Sequence, residues 1–433
     1  MAYMINLKEY RQHPHKFQQW AKDKWVEIDR QRFDQLDEYI KTYTQHMEEL
    51  LAQRNTLSKQ IEQALKNKED AQAHIQQVKE IKERVEGLQA QINEAQQEFQ
   101  HILLHIPLPA LDDVPVGVSD QENVVIEEVG TKPTFDFTPR PHREILEEVG
   151  LLDQERAVKL SGSRFQILRW SLARLEFALM QWAVDKLTSK WFTFTVVPQL
   201  VKDEALVTTG FLPNDAMNIY RVNPAAPTPQ QEREEDDLYL IGTAEVALVS
   251  QHNNEIFSPE ELPRRYVGFS SCFRREAGTY GKDTKGLIRL HQFEKVEMVS
   301  FVDPQDSIKE HEMLLEIEEE IFQDLGIPYQ KLLICTGDLG GPAAKKYDLE
   351  AWFPGIGKYV EVTSTSNTQD FQTRRGNIKY TTDGKNEFVH SLNGTAVALG
   401  RALAAIVENY QQADGTVAIP DVLRPYMQNV STL

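Results

Sequence analysis

The chain has 433 residues, 41% hydrophobic and 26% charged, as expected of a soluble globular protein with two or three domains. Its formal net charge of -19 argues against loose, nonspecific nucleic-acid binding, because an acidic surface repels phosphate; any RNA partner must meet locally basic patches. With only Cys272 and Cys335, a disulfide scaffold and a four-cysteine zinc site are both excluded, so no zinc is expected and a reducing compartment suits the chain.

The opening Met1-Ala-Tyr-Met-Ile-Asn-Leu-Lys8 lacks a basic end followed by an apolar core, which predicts a cytoplasmic protein without a signal peptide. Residues up to about 30 read as short helical pieces, with Asn6 as a cap. From Phe33 the pattern is long and regular. Leu36, Ile40, Tyr43, Met47, Leu50, Leu57 and Ile61 recur at three- and four-residue spacing, with Arg54 breaking the register once. The polar run Lys66-Asn-Lys-Glu-Asp70 interrupts it, and Ile75, Val78, Ile81, Val85, Leu88, Ile92, Ala95 and Phe99 resume it until Pro107 and Pro109. Two helices joined by a short turn fold back as an antiparallel coiled coil, and at ~1.5 Å per residue each extends roughly 50 Å, as a projecting arm. Between Phe33 and Leu104 there are 8 Lys plus Arg against 13 Asp plus Glu, so the arm is no general polyanion binder. Oligomerisation, a spacer role and selective contact of Arg54, Lys59, Lys66 and Lys68 with a phosphate backbone all remain open from the pattern alone. These residues place an N-terminal domain at 1–110, with the arm over about 33–104.

Residues 111–140, rich in proline, valine and acidic groups, read as an extended linker to a second domain at 141–433. His142, just inside it, is expected to be structural. The helix from Trp170 to Lys186 carries Arg174, Glu176 and Asp185 and cannot span a bilayer; a strand Phe192–Pro198 follows. Residues 222–237 form a proline-rich and then acidic loop, expected to be disordered. Leu240-Ile-Gly-Thr-Ala-Glu-Val246 reads as a buried strand ending in a turn. Two alternating stretches around Cys272 and Glu297 predict a hairpin whose tip, Gly278 to Gly286, has the composition of a mobile loop. Its many charges, Arg274, Arg275, Glu276, Glu294, Lys295 and Glu297, fit either a solvated hairpin laced with ion pairs or a site for a phosphate-bearing ligand.

A helix over Ser307–Leu325 and a strand over Lys331–Cys335 come next. Thr336-Gly-Asp-Leu-Gly-Gly-Pro342 is not a phosphate loop, since it lacks the Gly-Lys-Ser/Thr ending and a following helix. Lys346–Trp352 and Tyr359–Asn367 predict two antiparallel strands, in which Glu361 is out of place unless paired or bound to a metal. Finally, His390-Ser-Leu-Asn-Gly-Thr-Ala-Val-Ala-Leu-Gly-Arg401 runs into a helix to Tyr410, its small residues letting the helix start pack on the sheet.

Phe273-Arg-Arg-Glu-Ala-Gly278, Gly281-Lys-Asp-Thr-Lys-Gly-Leu-Ile-Arg289 and His291-Gln-Phe-Glu-Lys-Val-Glu297 together resemble motif 2 of bacterial-type seryl-tRNA synthetases, a class II aminoacyl-tRNA synthetase family. Thr279 and Lys285 stand where serine and arginine are usual, and both keep the side-chain chemistry. The Trp170 helix with its strand and Pro198 resembles motif 1, and the stretch ending at Arg401 resembles motif 3. Asn6-Leu-Lys and Arg54-Asn-Thr-Leu-Ser-Lys59 are similar to family patterns as well.

The resemblance implies an α+β fold: a class II catalytic domain on an antiparallel sheet flanked by helices, with an N-terminal antiparallel helical-hairpin arm. It implies a homodimer through motif 1, and a serine–tRNA ligase that forms seryl-adenylate from L-serine and ATP and charges tRNA(Ser), with tRNA(Sec) left open as a second substrate. The arm, through Arg54, Lys59, Lys66 and Lys68, is implied to hold the long variable arm of tRNA. Thr243, Ala244, Glu245, Glu297, Asn393 and Thr395, with Arg274, are implied to bind serine. ATP falls to Arg274, Arg275, Glu276, Phe293, Glu361, Val362, Thr363, Ser364 and Arg401, and Mg2+ to Glu361 and Ser364. Arg274, Glu361 and Arg401 are then catalytic: Arg274 on the α-phosphate, Arg401 on the γ-phosphate, Phe293 stacked on adenine and Glu276 reading its edge or the ribose. A carrier-protein ligase with the same core would lack the long arm, and a non-catalytic paralogue would be expected to lose Arg274, Glu297, Glu361 or Arg401, all of which stand here.

Overall fold

Four helices make up the N-terminal region: α1 (Leu7–Gln12), capped by the Asn6 side chain, α2 (Pro14–Asp23), α3 (Arg30–Asn67) and α4 (Gln72–His105). The computed structural model describes residues 5–222, 238–277 and 286–433. The hairpin tip with Thr279, Asp283 and Lys285, and the loop expected over 223–237, lie outside the described residues. The turn between the long helices falls where the polar run predicts it, with Lys68 in the left-handed region closing α3. At the arm's base, Tyr10, Phe17, Phe33, Phe99, Leu103 and Ile106 form an aromatic cluster, with the Phe33 ring 4.2 Å from Tyr10 and 4.7 Å from Phe99. Burial on that scale, roughly 2 kcal/mol or more per large side chain, roots an arm whose outer half has little to bury. Beyond the root only Leu50, Ala64, Ile81 and Ile92 are buried along the two helices, and Gln53, Thr56 and Gln60 face Gln77, Glu80 and Arg84 across a polar groove.

The second region is built on an eight-stranded sheet: β1 (Val124–Val129), β2 (Thr193–Thr195), β3 (Arg264–Phe273), β4 (Gln292–Val302), β5 (Tyr329–Leu333), β6 (Lys345–Phe353), β7 (Lys358–Asn367) and β8 (His390–Ala398). Its order is β1-β5-β6-β7-β8-β4-β3-β2, antiparallel throughout except that β2 runs parallel to β3. Part of the segment read as a linker thus lies on the sheet as its edge strand, Val124 opposite Leu333. Helices α5 (Trp170–Ser189), α7 (Ser307–Asp324) and α9 (Leu399–Asn409) cover the core, with the short α6 (Glu245–Ser250) and α8 (Phe371–Gly376) beside the sheet's middle.

Two local readings are corrected. Leu240–Val246 is not one strand: pairing ends at Leu240, and Glu245 opens α6. The stretch before Arg401 is a nine-residue strand, and the helix begins only at Leu399. Ser391 to Ala398 are buried throughout, so no apolar–polar alternation marks the strand.

Candidate active site

Side-chain alternation decides which face of the sheet can do chemistry. Thr363 points to α7, where its hydroxyl donates to Glu318 at 2.7 Å, so by alternation Ser364 and Ser366 face the opposite side and line a cavity there. Glu361 and Ser364, three apart, would lie on opposite faces of a regular strand. A bulge in β7 opposite the Leu349–Glu350 step inserts one residue, and both then line a cavity with Arg274, Phe293 and Arg401.

Hairpin β3–β4 supplies the other wall. At its base Arg274 N donates to His291 O at 3.0 Å, and the Arg274 carbonyl accepts from His291 Nδ1 at 2.9 Å. The Arg274 guanidinium lies 5.4 Å over Phe293, and its Nε donates to Gly242 O at 3.2 Å, tying the hairpin to the segment before α6. Glu276, with a positive φ of 50°, pairs with Arg289 at 2.6 Å. Arg401 Nη1 reaches both the Glu361 carbonyl, at 2.9 Å, and its carboxylate, at 3.1 Å. The cavity walls act to raise the Glu361 carboxyl, but Arg401, Lys346 and Arg274 together hold it below its ordinary value.

A second cavity, sharing Arg274, Lys295, Ser364 and Thr395 with the first, is lined by Thr243, Glu245, Glu297 and Asn393. Glu297 and Thr395 are direct cross-strand partners, and Asn393 lies two residues before Thr395 on the same strand face. Glu245 Oε1 accepts from Gln372 Nε2 at 2.7 Å and Asn393 Nδ2 at 2.8 Å. Burial, and then the nearby Glu297 charge, push the Glu245 carboxyl up to about 7, with Gln372, Lys295 and Arg274 opposing. Gly268, opposite Glu297, lets α6 come close: a Cβ there would sit 3.0 Å from Leu248 and 3.3 Å from Ala244.

Most of the residues singled out from sequence therefore meet at two joined cavities. Arg275 does not: its guanidinium lies 5.8 Å over Tyr220, away from both. Ala244 is fully buried and packs behind the wall rather than lining it. Sequence reasoning counted Lys295 among the hairpin's charges but gave it no role; it lines both cavities, pairs with Glu297 and donates to Thr395 Oγ1 at 3.3 Å, and its position two before Glu297 on one strand face was the available signal. It also missed Arg289, paired with Glu276 of the same hairpin, Lys346, paired with Asp348 on its own strand, and Gln372, whose partner Glu245 comes from a distant segment. His142 is structural as read. It is buried, with Nδ1 against Glu408 of α9 at 2.7 Å and Nε2 accepting from Leu287 N at 3.1 Å, which anchors the return of the hairpin.

Oxygen donors Glu361 and Ser364 suit a hard cation. Among the described residues no group of three or more His, Cys, Asp or Glu could hold a metal ion. On the arm, Lys59, Lys66 and Lys68 are exposed, with Lys66 paired to Glu62 at 2.6 Å, and Arg54 is half-buried. Trp170, Trp191 and Val196, on α5 and beside edge strand β2, are 79%, 86% and 80% exposed. Among the described residues no helix is long and apolar enough to cross a membrane.

Comparison with known proteins gives two family matches: the seryl-tRNA synthetase N-terminal domain over residues 4–109, and the tRNA synthetase class II core domain (G, H, P, S and T) over residues 220–410. A serine–tRNA ligase of Fervidobacterium nodosum is 47% identical over 333 residues, 77% of this chain and 76% of that protein. One from a Geobacillus species is 46% identical over 78% of each. Among solved structures, seryl-tRNA synthetase from Pyrococcus horikoshii complexed with ATP matches with a TM-score of 0.88 and 36% identity over 99% of both chains. The cytoplasmic serine–tRNA ligase of Naegleria fowleri in complex with AMP matches at 0.84 and 30%, over 98% of this chain and 96% of that one.

Proposed function

The chain belongs to the seryl-tRNA synthetase family, whose reaction joins serine to tRNA at the expense of ATP, and from that premise we propose how its residues divide the work. The observation that carries the reading is the meeting of the two cavities at Arg274 and Lys295. The cavity under Phe293 takes ATP, whose adenine stacks on that ring while Glu276 reads the base or ribose. The other takes L-serine: Glu245 and Glu297 face its ammonium and hydroxyl, with Thr243, Asn393 and Thr395 completing a polar wall. An amino acid lacking the hydroxyl leaves such a wall unpaired, a discrimination of about 1–3 kcal/mol or more per group.

The serine carboxylate attacks the α-phosphorus and pyrophosphate leaves; the 3′-terminal adenosine of tRNA then attacks the seryl-adenylate carbonyl. Neither step needs a protein nucleophile. Arg274, at the junction, neutralises charge on the α-phosphate, and Arg401 holds the γ-phosphate by exchanging Glu361 for it. Glu361 and Ser364 would hold Mg2+, which supplies charge neutralisation between phosphates. The arm carries Lys59, Lys66, Lys68 and Arg54 to the long variable arm of tRNA(Ser), and tRNA(Sec) is a second substrate where it presents the same arm. The exposed tryptophans of α5 and the β2 edge support a homodimer, which sedimentation of the intact chain tests. A cytoplasmic location agrees with this chemistry.

ATP–pyrophosphate exchange with serine, threonine, alanine and glycine tests the reading. Exchange driven by serine well above the other three is expected. Exchange with none of them would remove the catalytic assignment.

A further inference from the structure

Thr336–Pro342 lacks the marks of a phosphate loop, yet with Ala343 it forms one wall of the serine cavity: Asp338, Gly340, Gly341, Pro342 and Ala343 line it with Glu245 and Thr243. Two consecutive glycines make this the part of the wall with the most conformational freedom to lose. Its outer side is held from the N-terminal region. Lys24, at the C-terminal end of α2, sends its ammonium to the carbonyls of Gly340 at 3.2 Å, Gly341 at 3.5 Å and Ala343 at 2.6 Å. Leu108 N donates to Gly341 O, and Leu111 N to Ala344 O, both at 2.9 Å.

Lys24 is 8% exposed, and among the described residues no carboxylate pairs with it. A buried ammonium without a counter-ion is costly, and it persists where several oriented oxygens surround it. Here three N–H donors meet three converging carbonyls. Those carbonyl dipoles repel one another, and the ammonium at their focus offsets that repulsion beside the backbone donors Ala343 N, on Gly340 O, and Leu108 N, on Gly341 O. Burial disfavours the ammonium and pushes Lys24 down to about 7, so the three carbonyl contacts are what favour its charged form here.

Resting on the reading of this cavity as the serine site, we propose that Lys24 is a positioning residue for serine: the N-terminal region, besides reaching tRNA, sets the wall of the amino-acid cavity through this ammonium. Serine affinity then depends on α2 being docked, even when no tRNA is present. ATP, bound to the other cavity, does not share that dependence.

The test uses the full chain, without tRNA, well below its melting temperature. K24M is expected to raise the serine KM in ATP–pyrophosphate exchange roughly tenfold while leaving the ATP KM within about twofold. K24Q, which keeps two donors but no charge, should fall between, and it serves where K24M folds poorly. Amide hydrogen exchange reads the loop directly: Ala343 N, bonded to Gly340 O, and Ala344 N, bonded to Asn367 O, should exchange faster in either variant. A role in stability alone would lower the melting temperature and leave the KM split and the loop amides unmoved, which overturns the proposal. Wild-type protein without serine-dependent exchange, together with faster loop amides in K24M, would instead reject the serine reading and keep the clamp.

Discussion

Lowering the pH should weaken serine binding through Glu245. This carboxylate is buried against Gln372 and Asn393, with Glu297 nearby, and burial with that neighbouring charge raises it to about 7. A carboxyl whose folded value lies above its unfolded one holds its proton longer when folded. Its contribution to stability is full below the unfolded value and is lost as pH rises through about 7. Ionising it in place costs roughly 3 kcal/mol relative to water, a cost that the serine ammonium offsets on binding. With a value of about 7, the ionised fraction falls from about nine-tenths near pH 8 to about one-tenth near pH 6, so the serine KM should rise about tenfold across that interval. Serine's own ammonium stays charged throughout. The assay is ATP–pyrophosphate exchange at saturating ATP over that range, paired with Glu245→Gln. The variant is expected to lose about 3 kcal/mol of serine binding, roughly a hundredfold in KM, and to show a flat profile. A wild-type serine KM that does not change with pH, or a variant that keeps the wild-type slope, would refute the reasoning.

Arg274→Ala removes the one cation shared by both cavities that also ties the hairpin to Gly242; exchange should fall roughly a hundredfold to a thousandfold, read as kcat with both substrates saturating. Glu361→Gln frees Arg401 of its partner and removes an anionic oxygen donor, so the Mg2+ concentration for half-maximal exchange should rise while the serine KM stays put. Charge reversal of Lys59, Lys66 and Lys68 should raise the tRNA KM roughly tenfold and reduce the salt dependence of charging, and pyrophosphate exchange, which needs no tRNA, should move little.

Much of this was legible because long periodic elements announce themselves. The arm's spacing and its polar interruption place α3, α4 and their turn correctly, and the alternation around Cys272 and Glu297 places β3 and β4. What stayed hidden depends on contacts between distant segments. The strand before Arg401 is buried on both faces and shows no alternation. The bulge that turns Glu361 to the side of Ser364 leaves no local mark in the sequence. Arg275, beside Arg274, points to Tyr220 because successive residues leave an extended chain on opposite sides. Gln372 and Lys24 act on groups more than a hundred residues away, where no spacing rule reaches.

The charges of the site are arranged as mutual partners: Arg401 with Glu361, Arg289 with Glu276, Lys295 with Glu297. Of these, Lys295 with Glu297 is buried, and removing one member of that pair leaves the other unpaired, which costs more than the pair itself contributes. On the proposed division of the cavities, substrates would enter by exchange of partners. Phosphate would replace carboxylate at Arg401, and the serine ammonium would add a positive charge where Glu245 and Glu297 crowd. Arg274, held only by the Phe293 ring and the Gly242 carbonyl, forms no ion pair among the described residues. On the proposed reading, it would meet a phosphate without first giving up a carboxylate. That difference in cost is the physical reason to place the reacting α-phosphate at Arg274 and the leaving pyrophosphate at Arg401.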